Sequence, residues 1–472
     1  MSSRFLHKAT AVAGLATSAF LLCAATALAT PGWLTFQLTS DEHNHDSVRI
    51  SGNRLSWIGT VGVDRQVFTR KMGAGGNVQV TSDHNDHDAA AVSGDRLAWD
   101  AWDGHYYQVY TRKMGSTGIV KVTREAADHR YPGASGERIA WNASGPGTGW
   151  QMYTAQMPSG PTEQLSWAVS SNYAPKMSGD RIVWLASDDV YYYWAPGPVG
   201  TIALTPAVHD PEPPAISGGR VVWTATVSGR FHVFTRTVPF GSITQLTYGA
   251  LEQHEAVISG SRVAWVGYDG AHWQVYTRKL GSGGIVQVTT DPHDHEDVSV
   301  DGDRLCWRVW DGSYWQVATR KMGSGGVVTM TSGSRSSYDP VLSGDRIAWT
   351  TQIGRNPQVF VADLIGGLSI ARVPTASPIT VYRSRGLATV RLGATVVNQD
   401  RWPAPGVSVA LQSSPNGSTG WHTIWTGRTN ASAAVSRTLT SSVAKTMYLR
   451  WYIGAGSTWR TVASPAQVIR IR

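Results

Sequence analysis

Polar turn residues break this chain into short apolar runs, and the breaks recur on a fixed beat. One phrase carries it. Ser51-Gly52-Asn53-Arg54-Leu55-Ser56-Trp57 returns as SGDRLAW ending at Trp99, SGERIAW at Trp141, SGDRIVW at Trp184, SGGRVVW at Trp223, SGSRVAW at Trp265, DGDRLCW at Trp307 and SGDRIAW at Trp349. The Trp-to-Trp steps are 42, 42, 43, 39, 42, 42 and 42 residues. A period in this range marks stacked supersecondary units. Each unit reads as four strands. A short strand enters the Ser-Gly turn, where Gly accepts a positive φ at no steric cost. The second strand is Arg, an aliphatic residue, a small residue and Trp. Asp103-Gly104, Asp269-Gly270 and Asp311-Gly312 then predict two-residue hairpins. The third strand is QVYTRK, as at Gln108 to Lys113 and Gln274 to Lys279, and after a Gly-rich turn the fourth is of the kind Val120-Lys121-Val122-Thr123.

Four antiparallel strands per repeat make a propeller blade. A lone blade leaves both faces of its sheet bare. Blades must therefore stack radially, with Trp57 and its seven equivalents filling the space between neighbours. The expected fold is all-β: an eight-bladed β-propeller, with seven blades as the alternative, followed by a β-sandwich. The eighth unit supplies three strands between Asp339 and Asp363 and no convincing fourth. Thr35-Phe36-Gln37-Leu38-Thr39 matches the fourth-strand pattern and has no blade of its own, so it is expected to complete the last one.

The repeat resembles the TolB-like and WD-type propeller repeats of bacterial and archaeal surface proteins, over roughly Thr35 to Leu364. The resemblance implies a fold more than a function, because such propellers serve many roles. TolB carries an N-terminal α/β domain that this chain lacks, which weakens a Tol-like envelope role.

After Leu364 the repeat stops. Residues 366–378 read as a linker rich in Gly, Ser, Ala and Pro. Alternating runs follow at Leu387 to Val397, Val407 to Gln412, Trp421 to Thr426, Tyr448 to Tyr452 and Val468 to Ile471. They predict a β-sandwich over residues 379–472. Its phrases GVSVALQSSPNGSTGWHTI and YLRWYIGAG are similar to bacterial immunoglobulin-like or fibronectin-like modules.

Charge divides along the same line. From Ser377 onward there are eleven basic residues and one acid, Asp400. The basic balance belongs to this module, and an anionic cell-envelope polymer is its expected partner. At the other end, Arg4, Lys8, the apolar stretch from Ala9 to Leu22 and Ala27-Leu28-Ala29 read as a signal peptide cleaved after Ala29. The propeller is then expected over residues 33–365. No later segment is apolar enough to span a membrane, and nothing points to nucleic acid. The expected location is extracellular or at the cell surface. Cys306 fills the slot held by Ala or Ser in sister repeats, so it reads as a small buried residue, not a nucleophile.

Candidate chemistry gathers on one face, where the loops entering each unit lie beside the Asp-Gly turns. Counting back seven residues from the repeat's Gly lands on His45, His87, His129 and His295. With their neighbours they suggest a divalent metal site, for Zn²⁺, Mn²⁺ or Ca²⁺, drawn from His43, His45, Asp46, His87, Asp88, His293, His295 and Glu296. The competing explanation is that Asp, Asn and His suit polar turns and that duplication copied them. Trp102, Asp103, Tyr106, Tyr268, Asp269, Trp310 and Asp311 pair aromatic faces with carboxylates and are the candidate ligand-binding set, beside His105 and Tyr314. Packing against neighbouring blades would use the same aromatics. The opposite face carries Arg70-Lys71, Arg112-Lys113, Arg278-Lys279 and Arg320-Lys321.

The chain has no G-x-S-x-G and no repeated Asp-box, which argues against prolyl-oligopeptidase and sialidase chemistry. The leading expectation is a secreted, non-enzymatic binding protein whose propeller recognises a glycan or protein partner. The alternative is a metal-assisted carbohydrate-active enzyme, a polysaccharide lyase or hydrolase, with His87 or His295 as base.

Overall fold

The computed structural model describes residues 33–472 except 117, 146–148, 168–174, 187–188, 195–199, 206–209, 365–367, 373–378, 385–386, 399–406, 431–432, 455–461 and 465. The expected signal peptide and most of the expected linker lie outside the described residues. All regular structure is β. No helix among the described residues is long and apolar enough to cross a membrane.

Eight four-stranded antiparallel sheets, one per repeat, follow each other along the chain. The first is His45–Ser51, Arg54–Val61, Asp64–Lys71 and Ala74–Gln79. Each innermost strand touches that of the next repeat, and the innermost strand of the last, Ser337–Ser343, touches His45–Ser51 of the first. The sheets thus form a propeller-like ring around an axis lined by innermost strands. The strand Trp33–Gln37 is the outermost member of the last sheet, with Trp33 opposite Leu364 and Gln37 opposite Phe360. The N-terminal strand therefore closes the ring, and Leu38 N–H extends the pairing to the Val359 carbonyl at 2.8 Å.

Every residue of the recurring phrase has a task. The eight Trp side chains are at most 1% exposed. Each packs on the sheet before it: Trp99 on Ile58 and Val67, Trp223 on Val183 and Tyr192, and Trp57 on Ala348 and Val359 across the closure. Seven of them also stack on a cross-strand ring, as Trp57 does on Phe68 at 5.9 Å and Trp265 on Tyr276 at 6.2 Å. Gly takes a positive φ of 54–60° in every one of these turns. That aims its N–H at the Ser Oγ of the preceding turn. The bonds run Gly94 to Ser51, Gly136 to Ser93, Gly179 to Ser135, Gly218 to Ser178, Gly260 to Ser217 and Gly302 to Ser259, at 2.8–3.0 Å. Asp301 replaces Ser for Gly344, and Gly52 returns to Ser343 at 3.0 Å. The circle of eight is complete.

A second ladder uses the Asp and Arg of the phrase. Arg54 reaches Asp95 of the next repeat, Arg138 reaches Asp180, Arg262 reaches Asp303 and Arg304 reaches Asp345, at 2.6–3.1 Å. Arg96 reaches Glu137 in the same way. The series skips three joints: Gly219 and Ser261 offer no carboxylate to the preceding repeat, and neither does Asn53 at the closure. Arg346 turns instead to Asp363 of its own sheet and to the Gly52 carbonyl.

Beyond the ring, two sheets enclose one apolar core. One has the order Leu368–Arg372, Ala388–Asn398, Ala434–Ser441; the other Ile379–Val381, Gln467–Ile471, Lys445–Ile453, Ser408–Ser414, His422–Arg428, with Val462–Ala463 beside Lys445–Ile453. Alternate residues Ala388, Val390, Leu392, Ala394 and Val396 face Leu411, Trp451 and Ile469. Phe36 of the closing strand packs on this core as well as on the first interface of the ring. The strand Leu368–Arg372 falls inside the segment expected to be a linker and pairs with Asn398 and its neighbours. Its Ser and Ala masked the alternation.

Candidate functional site

The His column lies inside the wall. His45 is 3% exposed; its Nδ1 accepts the indole N–H of Trp57 at 3.2 Å, and its Nε2 meets Asp41 at 2.8 Å. His129 repeats the Trp contact with Trp141 at 3.0 Å. His87 and His295 are equally buried, their Nε2 atoms bonded to Asp83 at 2.7 Å and Asp291 at 3.0 Å, with their rings 6.4 and 6.3 Å from Trp99 and Trp307. In the sixth repeat Gln253 takes the indole proton of Trp265. His45, His129 and Gln253 thus accept from buried Trp N–H groups, which would otherwise be costly orphans, whereas the Trp99 and Trp307 N–H groups have no hydrogen-bond partner among the described residues.

Of the remaining candidate metal ligands, Asp46, Asp88 and Glu296 are engaged through their side chains, and His43 and His293 through the main chain. His43 and His293 give their main-chain carbonyls to Gln358 at 2.7 Å and Gln274 at 3.2 Å, third-strand amides that clamp each entering loop. Asp46 and Asp88 share Arg65 at 3.3 and 3.2 Å, and Glu296 pairs with Arg308 at 2.7 Å. Among the described residues no three His, Cys, Asp or Glu side chains are arranged to hold a metal ion.

The Asp-Gly turns differ from the expected two-residue hairpins. Trp102 pairs with Tyr107, so Asp103 to Tyr106 form a four-residue loop. The cause is the Asp side chain, whose Oδ1 accepts the N–H groups of His105 and Tyr106, both at 3.0 Å. Asp269 and Asp311 bond the equivalent N–H groups. A bond from Lys121 and these two amides hold the Asp103 carboxyl down at about 2. The aromatics of the set serve the hairpin ends: Trp102 lies edge-on to Tyr107 at 5.3 Å, Tyr268 sits by Trp273 at 5.5 Å and Trp310 by Trp315 at 5.5 Å. Tyr106 remains 38% exposed at its loop tip.

The starts of the innermost strands, where the mouth of a propeller's central channel is expected, bring together residues outside the His column. Where the innermost strands start, each of six sheets has a β-bulge with a non-Gly residue at positive φ: Ser47, Ala89, Tyr131, Glu255, Asp297 and Asp339. Backbone in this region costs about 1–3 kcal/mol per residue and is held only by its surroundings. Three consecutive sheets supply acids there, Glu255, Asp297 and Asp339. Glu255 accepts the Asp297 N–H at 2.9 Å. Burial, then the charge of Asp297, pushes the Glu255 carboxyl up; burial does the same for Asp297 against the pull of Arg308.

Beside this arc, Glu212 Oε1 lies 2.6 Å from His254 Nδ1. Burial alone would raise Glu212, but hydrogen bonds from His254 and Thr224 hold it below its ordinary range. Conversely, the bond to Glu212 raises His254 despite partial burial. An ionised carboxylate only accepts, so the shared proton sits on Nδ1 and the Nε2 lone pair is the basic one. Phe231 at 4.7 Å and Trp273 at 5.4 Å fix the ring. Glu212 was missed from sequence because its repeat has Pro211 in the His column; the flag was His254-Glu255, displaced by one position from that column.

No family model and no curated protein matches the chain. Among solved structures it is similar to the β-propeller domain of the Trilobed protease from Pyrococcus furiosus, at 12% identity and TM-score 0.45, covering 61% of this chain and 98% of that one. It is similar to a puromycin-hydrolyzing peptidase of Mycobacterium tuberculosis at 12% identity and TM-score 0.46, covering 66% of this chain and 58% of that one. TolB from Acinetobacter baumannii matches at 13% identity and TM-score 0.31, covering 59% of this chain and 78% of that one. The likeness is one of fold. The chain spans little more than half the length of the mycobacterial peptidase. These propellers include parts of hydrolytic enzymes, and the expectation of a non-enzymatic binding protein is corrected accordingly.

Proposed function

We propose that this chain acts in hydrolysis, with the mouth of the axial channel as the reaction centre and His254 as its base. The observation that carries the reading is the Glu212–His254 pair at 2.6 Å, braced by Thr224 and by two aromatic rings. Glu212 orients the imidazole and steadies the imidazolium that forms when Nε2 takes a proton from an attacking water. Glu255 and Asp297, whose carboxyls hold protons more tightly than usual, are suited to return one to the leaving group. A carbonyl substrate in extended form suits a channel entrance. Positioned general-base catalysis contributes roughly 10²–10⁴-fold.

The test is release of p-nitrophenol or p-nitroaniline from a panel of esters and peptide anilides by the purified chain. Turnover should fall about 100-fold or more in His254→Ala. Its alkaline-going limb should lie above the ordinary His range, and Glu212→Gln should move that limb to lower pH. Absence of turnover across the panel, or unchanged turnover in His254→Ala, overturns the proposal.

The same reading takes the chain as secreted. Residues 379–472 serve as an immunoglobulin-like module that holds the enzyme near an anionic envelope polymer. Supporting the module's assignment, its three-stranded sheet and the strands Ser408–Ser414, Lys445–Ile453 and Gln467–Ile471 follow the A-B-E and C-F-G order of such sandwiches.

A further inference from the structure

The third repeat departs from its sisters at one point, and a recess of about 340 Å³ opens there. In the first, second and seventh repeats the residue four before the column His is Asp, whose carboxylate bonds His Nε2 at 2.7–3.0 Å. In the third it is Glu125. The extra methylene carries the carboxylate past the imidazole. Glu125 bonds the Arg124 N–H at 2.9 Å and stands 3.4 Å from His129 Nε2, with 67% of its side chain exposed. Nε2 of His129 is left buried, in a residue only 5% exposed, with no hydrogen-bond partner among the described residues.

The proton on that ring can be placed. Trp141 Nε1 only donates, and it donates to His129 Nδ1 at 3.0 Å. Nδ1 is therefore bare and Nε2 carries the hydrogen. The recess thus has an unused N–H donor at its base and a carboxylate at its rim. Its walls include Tyr153 and Trp167, and Trp167 is 73% exposed, an unusual position for a ring of that size. Arg124 and the His ring keep the Glu125 carboxyl below its ordinary range despite some burial, so it is anionic at neutral pH.

Aromatic faces beside an anion favour an organic cation, and the bare donor requires an oxygen acceptor on the same molecule. We propose that this recess is a binding site for a small ammonium compound carrying an oxygen, of the amino-alcohol class. The ammonium lies between Trp167, Tyr153 and Glu125, and the oxygen accepts from His129 Nε2–H. The site is on the third repeat and independent of the His254 centre, so either proposal can fail alone.

Calorimetry on the full chain tests it with three probes: choline, tetramethylammonium, and 3,3-dimethylbutan-1-ol, the uncharged shape mimic of choline. Choline should bind at least about tenfold more tightly than the neutral mimic, since the cation–π contact and the carboxylate both favour the charged probe. It should also exceed tetramethylammonium, which lacks the oxygen. Glu125→Gln should lower the preference over the neutral mimic to the part the aromatic rings supply, and Trp167→Ala should weaken all three probes. Both side chains are largely exposed, so neither substitution should change the melting temperature. Equal binding of choline and the neutral mimic, no binding of choline, or an unaffected Glu125→Gln variant overturns the site. Equal binding of choline and tetramethylammonium overturns the role of His129.

Discussion

Trp33→Ala probes whether the N-terminal strand holds the ring shut or merely decorates it. Trp33 is 3% exposed and packs among Cys306, Val317, Leu342 and Ile347, with the Arg304 guanidinium 4.9 Å from its ring. Truncating a buried Trp costs about 3–5 kcal/mol. A further 0.5–1 kcal/mol, roughly, is lost with the cation–π contact. Single domains have only about 5–15 kcal/mol in total. The cost here should concentrate at one place, because Trp33 anchors five residues whose pairing with Phe360 to Leu364 is the last joint of the ring. The assay is urea denaturation combined with amide hydrogen exchange. Stability should drop by about 3 kcal/mol or more. Protection should collapse first at Asn356–Leu364 and His45–Ser51 while Arg220–Val227, on the far side, keeps its own. A loss under about 1 kcal/mol would refute the anchoring role, since surface-like substitutions fall in that range. Uniform loss of protection round the ring would refute the idea that the joint is local.

Asp100 is fully buried beside Arg130, and burial raises its pKa to about 6. The native state keeps a proton that the unfolded chain releases near pH 4, so stability should fall as pH rises from 4 to 6, by about 3 kcal/mol for this group; melting temperatures of Asp100→Asn should lose that slope, and an identical slope in both proteins would refute the assignment. Ser217→Ala removes the acceptor of Gly260 N–H and should cost about 0.5–1.5 kcal/mol by urea denaturation, whereas no change would mean that water replaces the bond at no cost. Gly94→Ala forces an L side chain to φ 54° and should cost about 1 kcal/mol or more, with a neutral effect arguing against that conformation. Retention of the chain on an anionic polymer matrix should fall steeply between 50 and 500 mM salt, roughly, as screening shortens from beyond 10 Å to under 5 Å, and salt-independent retention would remove the role given to the basic module.

Much of the fold was legible because each residue of the phrase has a single job. Gly has no competitor at a positive φ, and a Trp recurring every 42 residues can hardly all be surface. The closing strand was legible because Thr35 to Thr39 repeats the fourth-strand pattern without a sheet of its own. The His column was legible as a position but not as a role. A His in a polar loop looks like a ligand until its surroundings are known, and the indole it meets was twelve residues away: His45 to Trp57 and His129 to Trp141 by hydrogen bond, His87 to Trp99 and His295 to Trp307 by ring contact. That constant offset was the available signal. The Arg residues that neutralise Asp46, Asp88 and Glu296 come from other strands and neighbouring repeats, so no local window shows them. Ala434–Ser441 escaped notice for a different reason: a strand of Ser, Thr and Arg declares itself only through the sheet it joins.

The circle of Ser–Gly bonds passes through all eight turns, but the Arg–carboxylate ladder, which already skips Gly219 and Ser261, is interrupted again at Asn53. The interruption coincides with the joint between the two ends of the ring. Seven joints lie along the continuous chain and the eighth is a seam. A circularly permuted chain, with its termini moved to another loop between repeats, would carry a covalent link across the old seam and leave a new gap where both ladders still hold. Replacing Asn53 with Asp would give the seam the carboxylate that five of the other joints carry. The seam is thus not unique in its side chains, and the ring's point of opening can be moved along the chain without altering its architecture.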